Sequence, residues 1–190
     1  MPIPAFTNKG VLPPFDGDAA FIDNSSPYPV TTLDLCSRFA LTPKRQEILR
    51  GFLKFRGLLN DLLVVDGFQW VDGRFVEDDG DRSDSPDCIQ VVTFCKDSPR
   101  LDDPAYAELA APLHAEFPEI RRRFLVDPLY VSLNWPVEDI INNTRFFGAT
   151  LSHQRETGLW KGMLQIPLST PKDDAKAIEY LNTLDSTEAP

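Results

Sequence analysis

Apolar residues recur at the spacing of one helical face from Thr42 towards Asn60, with Ile48, Leu49, Phe52, Leu53, Phe55, Leu58, Leu59 and Leu62 as the periodic set. That pattern predicts an amphipathic helix with its basic residues turned to the other side. Thr42 offers a capping hydroxyl and Pro43 a ring preset for the first helical position. The period then changes. Residues 67–71 and 89–94 are rich in aromatic and β-branched side chains and predict two strands. Residues 77–86 between them form an acidic loop bearing Ser and Gly. Ala, Leu and Tyr over 104–117 predict a second helix with a break near Pro112. Residues 124–133 predict a third strand, in which Pro128 implies a sheet edge or a bulge. A helix from Pro136 to about Leu151, a strand over 162–168 and a terminal helix over 171–184 complete the series. Residues 1–30 carry prolines at 2, 4, 13, 14, 27 and 29 and no sustained period, so they predict an irregular arm, with Phe6, Val11, Leu12, Phe15 and Phe21 available to pin it. The sum is an α/β, loosely α+β, single domain over 31–190: a small mixed β-sheet flanked by helices.

Charge narrows the range of partners. The 29 acidic and 19 basic residues among 190 give a formal charge of -10, which disfavours a broad nucleic-acid surface or attraction to anionic membranes. Local basic patches are expected at Arg121 to Arg123 and over Lys44, Arg45, Arg50, Lys54 and Arg56. Cys36, Cys88 and Cys95 form no CxxC pair, so neither a disulfide framework nor a thiolate zinc site is indicated, and a reducing compartment fits. The opening residues have no basic stretch followed by an apolar one, and no run approaches the roughly 20 apolar residues of a membrane span. The cytoplasm is the expected location.

The chemistry is concentrated in Trp70 to Val76, where Asp72 and Gly73 precede Arg74, and in Asp87 to Phe94. This arrangement resembles the polymerase-β type of nucleotidyltransferase, in which a Gly-Ser turn follows one strand and an Asp-x-Asp pair sits on the next. A glycine turn lets backbone amides approach a triphosphate, and acids at i and i+2 of a strand hold Mg²⁺ on one face. More particularly, the segments Phe6 to Pro14, Pro43 to Arg45, Asp72 to Val76, Val126 to Val131, Leu151 to Arg155 and Trp160 to Gly162 are similar to an uncharacterised family of small prokaryotic nucleotidyltransferase-like domains. The resemblance runs from near residue 6 to near 168.

The departures bear on activity. Arg74 replaces the serine of the turn, and the positions of the Asp-x-Asp pair hold Cys88 and Gln90. A thiol and an amide give Mg²⁺ no charge. Asp127 matches the third acid of the pattern. Should the site be active, Asp72 and Asp127 are its catalytic acids, with Asp84 and Asp87, which precede the second strand, as substitute metal ligands; the other reading of the acidic run is a solvated loop. Gly73, Arg74, His153 and Lys161 are the candidate nucleotide-binding residues. Arg74 either fills the site by pairing with Asp72 or a loop acid, or binds phosphate itself. His153 either serves a ligand surface or makes structural hydrogen bonds beside a turn, and His114 reads as a surface residue. Cys88 reads as a small buried hydrophobe. The resemblance therefore implies a degenerate nucleotidyltransferase-fold protein that acts as a binding or regulatory module with a protein partner, in a setting such as a toxin-antitoxin or phage-defence system. An active Mg²⁺-dependent transferase and a nucleotide or phosphate sensor without turnover are the alternatives.

Overall fold

The computed structural model describes residues 3–18, 21–78, 80 and 86–187. The α-helices are α1 (Thr32–Phe39), α2 (Pro43–Asp61), α3 (Ala107–Ala110), α4 (Phe117–Phe124), α5 (Val137–Leu151) and α6 (Pro171–Thr187). The strands are β1 (Tyr28–Pro29), β2 (Gly67–Asp72), β3 (Ile89–Cys95), β4 (Val126–Ser132) and β5 (Leu164–Pro167). They form one mixed sheet in the order β1-β5-β2-β3-β4. β2 runs antiparallel to both β3 and β5, while β3 pairs β4, and β1 pairs β5, in parallel. The fold is thus mixed α/β, as the sequence predicts. Pro128 lies in β4, an outer strand of the sheet, where a residue without an N–H is tolerated.

Side-chain alternation divides the sheet into two faces. Val71, Ile89, Val91, Val126, Leu164 and Ile166 join the main core beneath α1, α2 and α6. Val92, Phe94 and Val131, with Phe68, Trp70 and Leu129, join a smaller core with Ile140, Phe147 and Leu151 of α5. α2 starts where expected, with the Thr42 hydroxyl accepting from the Arg45 N–H.

Several expectations need correction. The basic residues of α2 do not all face outward: Arg45 and Arg56 are 3% and 2% exposed. Arg56 donates to both Asp174 oxygens at 3.0 Å, to Gln69 Oε1 at 2.7 Å and to the Pro167 carbonyl at 2.9 Å. Arg50 is taken up by α6, donating to Leu181 O, Asn182 and Asp185. No basic patch forms on this helix. The helix expected over 104–117 is instead a 3-10 turn at Pro104–Tyr106, the four-residue α3 and another 3-10 turn at Ala111–Leu113. Proline rings at 104 and 112 permit only short pieces. α4 was not expected; Phe124, read as the start of a strand, is its last residue, and Leu125 closes it in the left-handed region at φ 53°. α4 packs closely on α2, since a Cβ on Gly51 would stand 2.1 Å from the Phe124 carbonyl oxygen. α1 was also not expected, although Thr31 and Asp34 form a reciprocal capping box at its start.

The N-terminal arm is largely irregular and is pinned by Val11 and Leu12, both buried, while Phe21 is 62% exposed and pins nothing. Its Tyr28 joins the sheet and donates its hydroxyl proton to the Pro13 carbonyl at 2.7 Å. Among the described residues, no helix is long and apolar enough to cross a membrane.

Candidate functional site

The strand register brings three sequence-predicted positions into one row. Asp72 pairs with Gln90 across β2 and β3, and Gln90 pairs with Asp127 across β3 and β4. Period-two alternation places these residues on the same face as Trp70, Val92 and Leu129, the face covered by α5. The row is therefore the polar end of an apolar surface.

β2 is followed by Gly73, whose φ of 82° and ψ of -168° suit glycine alone. A Cβ there would also come within 3.2 Å of the Gln90 Cβ. The chain then makes a single 3-10 turn, Arg74–Val76. Arg45 of α2 holds this turn from behind, donating to the carbonyls of Phe75 at 2.7 Å and Glu77 at 3.1 Å.

Lys161 lies in front of the turn. Its Nζ stands 3.1 Å from Asp72 Oδ1, 2.8 Å from Glu77 Oε1 and 3.0 Å from the Gly73 carbonyl oxygen. The side chains of Lys161 and Asp72 are each 2% exposed. Gln154 donates to the other Glu77 oxygen at 2.8 Å. Burial pushes the Asp72 carboxyl up to about 6, against the opposing pull of Lys161 and the Gly73 N–H, and Glu77 adds to the rise. Two carboxylates thus share one buried ammonium.

A cavity of about 580 Å³ opens over this cluster. Every candidate among the described residues lines it: Asp72, Gly73, Arg74, Asp87, Asp127, His153 and Lys161, together with Cys88 and Gln90. Asp84 lies outside the described residues. Asp127 is 3.5 Å from Arg121 Nε and lies close to the Cys88 thiol. Burial first, then Asp127, pushes that thiol up to about 12, so Cys88 carries no nucleophilic thiolate near neutral pH. Cys88 immediately precedes β3 and is half-buried, a correction to its reading as a buried strand residue. Asp87 is 82% exposed and 3.9 Å from Arg121. His153 is exposed, with Nδ1 2.9 Å from the Ala149 carbonyl and 3.2 Å from Ser152 Oγ. His114 is exposed.

Among the described residues, no group of three or more His, Cys, Asp or Glu side chains is arranged to hold a metal ion. The donor chemistry fits Mg²⁺ poorly. An ammonium already engages Asp72, the neighbouring strand offers an amide, and Asp127 is paired with a guanidinium.

Sequence reasoning missed Glu77, Gln154, Arg45 and Arg121. Glu77 was read as the first residue of a solvated loop, yet it is 7% exposed. Its signal lay in adjoining the apolar pair Phe75 and Val76, both fully buried. Residues 4–167 match a family described as a family of unknown function (DUF6932). The chain belongs to this family. The matched region takes in β1 to β5 and every residue of the cavity, and leaves out α6. No curated protein matches the chain, and no solved structure matches it.

Proposed function

We propose that this chain is a catalytically degenerate protein of the nucleotidyltransferase type that works as a binding or regulatory module with a protein partner. The observation that carries the reading is the ion pair of Lys161 with Asp72, which commits to a lysine the acid a transferase would offer to its metal. The frame supports it: an antiparallel pair, β2 and β3, is followed by a parallel β4, with a glycine turn and the row Asp72, Gln90 and Asp127 at one end. The setting in a toxin-antitoxin or phage-defence system rests on the resemblance of the motifs.

A second reading, a nucleotide or phosphate sensor without turnover, is favoured by the cations on the cavity wall. Arg155 is exposed there, beside Arg74 and Arg121. Guanidinium groups suit phosphate oxygens.

A thermal-shift screen against ATP, GTP, CTP and UTP, each with and without Mg²⁺ or Mn²⁺, separates the readings. A ligand at about 100 times its dissociation constant adds roughly 2.7 kcal/mol of stability. The binding-module reading predicts no metal-dependent stabilisation, and the sensor reading predicts stabilisation that survives chelator. Stabilisation that requires the metal would contradict both and return Asp127 and the loop acids to a catalytic role.

A further inference from the structure

We infer that Lys161 is a built-in replacement for a divalent cation: its ammonium fills a cation site formed by Asp72, Glu77 and the Gly73 carbonyl, and removing the amine opens that site to a small divalent metal. The inference holds whether the cavity above serves a partner or a nucleotide.

Three oxygens from one short segment converge on Nζ at 3.1, 2.8 and 3.0 Å. Two carboxylates and a backbone carbonyl are the donor set of a hard cation, and Ca²⁺ asks for oxygens at about 2.3–2.6 Å, a modest contraction. Asp72 Oδ1 is buried, and its close contact is with the Lys161 ammonium at 3.1 Å. The lysine brings a single positive charge to these two carboxylates, and a divalent ion would bring two.

The ligating groups are also held from behind by contacts that do not involve the lysine. Gln154 donates to Glu77, and Arg45 grips the carbonyls of Phe75 and Glu77. Such supporting contacts orient metal ligands. Lys161 itself comes from the far side of the chain, where its N–H donates to the Ser152 carbonyl at 2.8 Å. In the native protein the ammonium thus ties the β2 turn to the segment that walls the cavity, without a metal.

The test compares the unsubstituted chain with Lys161→Ala in thermal melts and titration calorimetry, using Mn²⁺ and Ca²⁺ after chelator treatment. The variant is expected to bind one ion saturably and to rise in melting temperature. The unsubstituted chain is expected to show no saturable response, and the double variant Lys161→Ala with Asp72→Asn to lose it. A folded Lys161→Ala protein without a saturable response overturns the inference, as does equal binding by the unsubstituted chain or retention in the double variant. Should Lys161→Ala not fold in chelator, refolding in Mn²⁺ against NaCl of equal ionic strength decides: recovery in metal alone supports the inference, and failure in both overturns it. None of these readouts involves a nucleotide, so they fail or succeed independently of the binding-module reading.

Discussion

Asp72 holds its charge at a cost, because burial outweighs the attraction of Lys161 and the Gly73 N–H, and Glu77 opposes ionisation further. Its carboxyl titrates near 6 in the folded chain and at the ordinary 3.8 when unfolded. The folded state therefore keeps the proton over a range in which the unfolded state has lost it. Stability from this group is greatest below the unfolded value and is lost as pH rises towards and through the folded value. Asp72→Asn should consequently gain stability relative to the unsubstituted chain as the pH rises from about 4 through about 6, because the amide has no proton to lose. Denaturant unfolding at a series of pH values should show the gap shrinking as the pH falls towards about 4; a gap that does not change with pH would contradict the account. Gly73 sets the adjoining geometry. Gly73→Ala forces a side chain into a backbone region reserved for glycine and against Gln90, and should cost about 1–3 kcal/mol in the same measurement.

Elements are joined beneath the sheet by the polar network of Arg56, which links α2 to Gln69 of β2, through it to Thr93 of β3, and to Asp174 of α6. Arg56→Ala leaves Asp174 and Gln69 facing a void, and breaking a buried pair of this kind costs about 3–5 kcal/mol. Calorimetric unfolding should register the loss, and a melting temperature unchanged by the substitution would show that the network carries no stability. The sequence discloses α2 through Thr42, Pro43 and its periodic leucines, and it discloses β4 as an edge through Pro128. It conceals the burial of Arg45 and Arg56, because periodicity assigns charged side chains to the outer face while their partners lie far along the chain. Arg45 reaches Phe75 and Arg56 reaches Asp174, 30 and 118 residues away. The stretch from 104 to 124 misleads for a different reason: apolar content there is helical, but Pro104, Pro112 and Pro118 decide where each helical piece begins and ends.

At the scale of the whole molecule, the candidate site was legible as positions and not as pairings. Asp72, Gln90 and Asp127 could be aligned because strands repeat every two residues, and the sheet register places them side by side. The role of Glu77 was not legible, since Lys161 and Gln154 lie 84 and 77 residues beyond it. Those long-range pairings join Asp72 and Glu77 into a lysine-bridged cluster under an open cavity, in keeping with the proposal of a molecule that binds without transferring. The most direct test incubates the purified chain with each labelled nucleoside triphosphate and Mg²⁺ or Mn²⁺, over protein and RNA acceptors, and follows incorporation of label. The account predicts none, in the unsubstituted chain and in Asp72→Asn alike. Metal-dependent incorporation that disappears in Asp72→Asn or Asp127→Asn would contradict it.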